Sequence, residues 1–219
     1  MVATNQGRKV IGMKKLSRKW IALIAVVILV VVGGLVVNNH RQAVAANNKG
    51  KRTLIVYFSR TRGIYGGDLK IGNTKQIADD IQKKTGGTEF EIRPQTPYPS
   101  DYDQTARLAD QQRREGARPA IKGPMPDVSK YDTIFIGSPV WYNTYPMVVR
   151  TFMDQVNLDD SSKTVIPFTT NEGSGLGETP DVLKSQYPNA KTRRGFTVRG
   201  TEAAHARRQV NRWLGKLGY

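Results

Sequence analysis

The chain has 219 residues with 34 basic and 18 acidic side chains, a formal charge of +16, and no cysteine. That length fits one ordinary domain of about 100–200 residues plus an appendage, and the lack of cysteine excludes disulfides and acylated-cysteine anchors. A charge this high invites a nucleic-acid reading, but residues 1–52 hold ten Lys or Arg and no acid, which leaves a surplus of only six on residues 53–219 and argues against nucleic acid as a partner.

Residues 20–37 read WIALIAVVILVVVGGLVV, an uncharged apolar run. A helix needs about 17–25 such residues to cross a bilayer core. Arg8, Lys9, Lys14, Lys15, Arg18 and Lys19 precede the run, and Trp20 stands at its edge, where amphipathic rings favour the headgroup zone. The expected organisation is therefore a basic tail over 1–19, a transmembrane signal anchor over 20–37, a linker over 38–52 and a folded domain over 53–219. Six basic residues before the span against Arg41, Lys49, Lys51 and Arg52 after it favour a cytoplasmic tail and an extracytoplasmic domain held at the cell membrane. Ala43-Val44-Ala45 supplies the rival, secretion after signal-peptide cleavage near Ala45, although the apolar run exceeds the usual signal core of about 7–15 residues.

Residues 38–52 show no apolar period and read as a linker. Beyond them apolar runs alternate with helical patterns, the order that yields a parallel sheet covered by helices on both faces. Residues 53–58 (TLIVYF) form a β-prone run suited to a central strand. Over 74–85, Ile77, Ala78 and Ile81 share one helical face, and Gly86-Gly87 stops the helix. Phe90 and Ile92 alternate with charged residues in a second, more exposed strand, and 100–116 is helical but strongly charged. Strands are predicted over 133–137, 164–168 and 195–198, with helices led by Pro146, over 180–186 and over 202–217. Five strands with interleaved helices make a doubly wound α/β sheet, whose ligands lie beyond the carboxyl ends of strands.

Three loops follow those ends. After the first strand, Ser59-Arg60-Thr61 is followed ten residues later by Gly72-Asn73-Thr74 at a helix start. Hydroxyls and free N–H groups there form an anion site, while the plainer alternative is a polar turn with a threonine cap. After the third strand, Pro139-Val140-Trp141-Tyr142-Asn143-Thr144-Tyr145 sets three aromatics in one loop, as if to stack on a planar ligand; packing on the domain itself or in the membrane interface is the alternative. After the fourth, Thr170-Asn171-Glu172-Gly173 opens a glycine-rich loop that lets backbone approach a ligand closely.

Over residues 53–217 these segments resemble the flavodoxin-like family, specifically its bacterial branch with an extended phosphate loop. YFSRT (57–61) with GNTKQIA (72–78), split by the insertion 62–71, is similar to the family's loop for the phosphate of flavin mononucleotide (FMN). GSPVWYNTYPM (137–147) is similar to its flavin-ring loop and PFTTNEGSGLG (167–177) to its third loop. The resemblance implies a five-stranded parallel sheet of order 2-1-3-4-5 and FMN as cofactor. It implies that Ser59, Thr61, Asn73 and Thr74, with N–H groups of Arg60 and Gly72, hold the phosphate. Pro139, Val140, Trp141, Tyr142 and Asn143 would line the ring, and Thr170, Asn171, Glu172 and Gly173 would close its far side. Tyr142 stands where the branch often has a second tryptophan, and the domain is basic where soluble electron carriers of the family tend to be acidic.

The resulting expectation is an FMN-dependent electron-transfer protein at the membrane surface, with a flavin, a quinone or another carrier as redox partner. The alternatives are an FMN-dependent quinone reductase and a non-catalytic module holding a phosphorylated ligand. Phosphoryl transfer is disfavoured, because the first loop lacks the G-x-x-x-x-G-K-[ST] spacing. No acid–base catalyst is expected, His40 falling in the linker and His205 on the closing helix. The intact protein is expected to fractionate with membranes, with the domain open to protease from outside; full-length protein in the soluble cytosolic fraction contradicts the anchor, and a fragment starting near Ala46 supports cleavage.

Overall fold

The computed structural model describes residues 52–219. The tail, the apolar run 20–37 and the linker as far as residue 51 lie outside these, and among the described residues no helix is long and apolar enough to cross a membrane.

The order of elements is β1 (Thr53–Tyr57), α1 (Asn73–Thr85), β2 (Thr88–Glu91), α2 (Tyr102–Arg114), β3 (Thr133–Pro139), α3 (Met147–Gln155), β4 (Thr164–Asn171), α4 (Thr179–Gln186), β5 (Lys191–Thr192), β6 (Phe196–Arg199) and α5 (Arg207–Leu217). All pairings are parallel, in the order β2-β1-β3-β4-β5, with β6 also on β4. β1 is flanked on both sides and buried throughout, which is why it reads as an unbroken apolar run. Its side chains alternate. Leu54 and Val56 join Ile134 and Ile136 under α3 and α4, while Ile55 and Tyr57 join Phe135 in the core beneath α1 and α5. α1 contributes Ile77, Ala78 and Ile81 and ends on Gly86, whose φ of 70° is the left-handed cap that glycine adopts without strain.

The family order is thus the observed one, but the fifth position holds two short strands where one was expected. The cause is Pro167 in β4. Val165 O accepts the Arg193 N–H at 3.0 Å, so Pro167, two residues on, faces the same edge and has no N–H to give the ladder. β5 ends there, and β6 resumes after Gly195, where a Cβ would stand 2.6 Å from Pro167 O. Several boundaries also move. β3 and β4 run on to Pro139 and Asn171 rather than ending at Gly137 and Phe168, because the two continue side by side and pair Pro139 with Thr170. The closing helix over 202–217 begins as a 3₁₀ turn (Gly200–His205) and becomes α-helical only at Arg207.

Gly137 lets two strands and their cores close up. A Cβ on this residue would fall within the ring of Phe168, which is fully buried. Gly137→Ala is therefore expected to cost about 1–3 kcal/mol by overpacking, measured by chemical denaturation, and adding Phe168→Leu should recover part of the loss, since contacting residues do not add independently.

Candidate functional site

A cavity of about 540 Å³ opens at the carboxyl ends of β1, β3 and β4, within the range of about 300–1,000 Å³ common for small-ligand sites. From the first loop it is lined by Ser59, Arg60, Asn73 and Thr74; from the second by Pro139, Val140, Trp141, Tyr142 and Asn143; from the third by Thr170, Asn171, Glu172 and Gly173. Thr61 and Gly72 do not line it. Thr61 lies exposed, its carbonyl taking the Leu69 N–H at 2.8 Å and so closing the insertion into a loop. Gly72 lies behind the wall, where a Cβ would overlap Ser59 Oγ and approach Arg60 O at 2.5 Å. The insertion therefore closes on itself and leaves the start of α1 seated directly on the end of β1.

That start is open. The N-cap Gly72 has no side chain to bond the first turn, and the first turn carries no acid, so the N–H groups of Asn73 and Thr74 and the positive end of the dipole remain for an anion. Ser59 Oγ accepts the Lys75 N–H at 3.0 Å and orients the loop against the helix. Buried Thr74 sets its hydroxyl 2.8 Å from that of buried Thr170, joining the first loop to the third. One hydroxyl of such a pair donates to the other, and the acceptor's own hydrogen stays free for a ligand.

The second loop is a two-residue turn. Trp141 and Thr144 exchange both backbone hydrogen bonds at 3.0 Å, with Tyr142 and Asn143 between them at φ of 48° and 66°. This is the type I′ geometry that suits a tight reversal, comfortable for Asn and costly for Tyr by about 1–2 kcal/mol. Compensation comes from the Tyr142 hydroxyl, which donates to Ala106 O at 2.9 Å, and from the Arg113 guanidinium 5.5 Å from its ring. Trp141 is fixed edge-on by Phe58 and Tyr98, with centroids 5.6 and 5.0 Å away. In the third loop Asn171 is fully occupied: its amide donates to Thr197 Oγ1 and Val198 O, and its carbonyl accepts from the N–H groups of Gly173 and Gly175. Its side chain thus shapes the loop and has no capacity left for a ligand.

A second wall was not foreseen from the sequence. Gly63, Ile64 and Tyr65 of the insertion and Tyr102, Thr105, Ala106 and Ala109 of α2 also line the cavity. The signal was present in the spacing, since 102, 105, 106 and 109 share one helical face and three of them are small in an otherwise charged helix. The Arg60 side chain belongs to this wall. It donates to Thr105 Oγ1 at 2.9 Å and to Pro99 O and lies 5.5 Å from the Tyr98 ring and 5.9 Å from that of Trp141. Burial lowers its pKa from the ordinary arginine value, yet a guanidinium keeps its charge. The same burial raises the Tyr98 phenol to about 12, against the pull of Arg60.

Among the described residues no group of acids or histidines could hold a metal ion. The residues present do fit the FMN that the resemblance implies: a glycine-led, acid-free helix start at one end, rings and apolar backbone at the other.

A family model described as flavodoxin matches residues 53–217. A comparison with proteins of curated function finds no match. Among solved structures, a protein designated a flavoprotein from Bacteroides eggerthii DSM 20697 is 27% identical at a TM-score of 0.63, covering 78% of this chain and 99% of that one. A second so designated, from Bacteroides uniformis ATCC 8492, is 28% identical at 0.61, covering 75% and 98%. A flavoprotein from Lactobacillus acidophilus NCFM, solved in complex with FMN, shares the fold at 22% identity and a TM-score of 0.55, covering 68% and 93%.

Gly177, at φ 53°, packs the third loop on the second so closely that a Cβ would overlap Asn143 O, and the next N–H, of Glu178, donates to that oxygen at 2.7 Å. Gly177→Ala is expected to displace the 141–144 turn and cost about 1–3 kcal/mol; in near-ultraviolet circular dichroism the Trp141 signal should change while the far-ultraviolet spectrum holds.

Proposed function

The chain belongs to the flavodoxin family over residues 53–217, and from that premise we propose that it is an FMN-binding redox protein, tethered by residues 20–37 to a membrane and passing electrons at its surface. The observation that carries the FMN reading is the glycine-led, acid-free start of α1 at one end of a cavity whose other end is aromatic. When bound, FMN supplies the one- and two-electron chemistry.

The protein's part is to bind, orient and exclude water. Ser59, Asn73 and Thr74 hold the phosphate together with first-turn N–H groups. Thr61, outside the cavity wall, is left to its role in closing the insertion. Trp141, held by Phe58 and Tyr98, offers a prealigned surface to the ring, and Tyr142 covers it from the solvent side. Arg60 stations a permanent positive charge near the ring compartment, where it favours electron-rich states. The basic tail places the domain outside the cytoplasm in this reading.

A second reading, reduction of a small planar acceptor such as a quinone, is favoured by the wall that the insertion and α2 add. Tyr65 and Tyr102 lie 6.3 Å apart, exposed, and line the cavity without being needed for the three flavin loops. A non-catalytic module is separated from both by whether the bound flavin can be reduced.

Full-length protein in detergent should show a flavin spectrum or acquire one with FMN, and titration by fluorescence quenching should find riboflavin weaker by on the order of a hundredfold or more, as two or three charged hydrogen bonds are lost. Thr74→Ala should lower FMN affinity more than riboflavin affinity, the remaining effect on riboflavin arising from the stranded Thr170 hydroxyl. Trp141→Ala should cost roughly tenfold for both flavins. Equal affinity of the wild type for FMN and riboflavin would sink the phosphate assignment.

A further inference from the structure

The charge of the domain is one-sided. Residues 53–190 hold 16 basic and 17 acidic side chains, whereas 191–219 hold eight basic and one acidic. The entire surplus therefore lies on β5, β6 and α5. On α5, Arg208, Arg212 and Lys216 recur every fourth residue, all exposed, on the side away from buried Val210, Trp213, Leu214 and Leu217. Arg193 and Arg194, also exposed, extend this basic surface along the sheet edge. Arg207 reaches Asp80 at 3.9 Å, but among the described residues no carboxylate lies within ion-pair distance of Arg208, Arg212 or Lys216. Like charges four apart on a helix repel one another, so the stripe opposes its own helix unless negative charge outside the domain neutralises it.

Its course indicates the partner. α5 follows Gly200, which lines the cavity, and ends where the Tyr219 hydroxyl lies 3.4 Å from Thr53 Oγ1, at the start of β1. The helix that carries the stripe thus descends from the cavity end of the sheet to the point where the chain enters. A docking patch for a soluble electron-transfer protein would gather around the cavity mouth; this one runs away from it. The chain enters at Arg52, and back along the sequence from it stand Lys51 and Lys49 of a linker whose 15 residues span at most about 50 Å.

We propose that α5 and the β5–β6 edge form a contact face for anionic lipid headgroups, laying the domain on its side with the cavity rim at the bilayer surface. This rests on the membrane-tethered reading above. Each basic side chain near an anionic leaflet strengthens such contact about fivefold, so the three of the stripe together account for roughly a hundredfold.

The absence of cysteine makes single-site labelling clean. Full-length Gln209→Cys, on α5, and Gln111→Cys, on α2 across the sheet, are labelled with a fluorophore and reconstituted in phosphatidylcholine vesicles with or without phosphatidylglycerol, each containing a headgroup quencher. Flotation with vesicles of either kind reports the tether. The expected result is quenching at 209 but not 111, only with phosphatidylglycerol, reversed by salt, and abolished by combined Arg208→Gln, Arg212→Gln and Lys216→Gln in a protein whose FMN affinity is unchanged. Flotation with no lipid-charge dependence at 209 overturns the contact face and leaves the tether standing. Failure to float with neutral vesicles overturns the tether and the face with it. Charge-independent quenching, together with salt-sensitive binding to a polyuridylate homopolymer, assigns the face to nucleic acid and overturns the proposal.

Discussion

The parallel ladder of β1, β3 and β4 is the constraint on which the rest depends. Tyr57 pairs with Gly137, and Gly137 with Phe168, so three strands from distant parts of the chain end side by side. Parallel strands need long crossovers, which the helices supply on both faces. The crossover from β1 goes one way, to β2, and that to β3 the other way, leaving a crevice between them at the carboxyl ends. Every feature of the cavity follows from what each strand releases at that edge.

What each strand releases is held by small, specific devices rather than by bulk packing. The lack of a side chain at Gly72 lets α1 begin directly against Ser59, so the helix dipole points into the crevice despite a ten-residue insertion. The Thr74–Thr170 hydroxyl contact ties the first loop to the third, and Asn171 uses all four of its side-chain hydrogen bonds to hold the third loop in shape. Such fully satisfied polar groups rigidify a site before any ligand arrives. Preorganisation of this kind lowers the ordering cost of binding.

The cavity and the outer face divide the electrostatic roles. Inside, one guanidinium, Arg60, meets only neutral partners, a hydroxyl, a carbonyl and two rings. Outside, α5 and the adjoining sheet edge gather the charge surplus of the domain, while the remainder is close to neutral. An acidic flavin carrier and this basic domain would thus select opposite partners from the same sheet, because complementarity at long range depends on surface charge and not on fold.

Much of the protein was legible in its sequence. The β-prone runs, the 3.6-residue stripes of α1 and α5 and the glycine stops are set by interactions between near neighbours, so they declare the elements and their order. The loops after the first, third and fourth strands could be named as the segments that meet at one cavity because doubly wound sheets bring such loops to one edge. The tertiary structure decided what depends on residues far apart meeting. The break of the fifth strand arises from Pro167 in its neighbour, and the extension of β4 to Asn171 from pairing with β3. The course of Arg60 is set by Thr105, 45 residues away, and the wall of α2 by Tyr142, whose hydroxyl reaches Ala106. Such contacts have no signature in local spacing, since they exist only once the sheet has brought its loops to one edge.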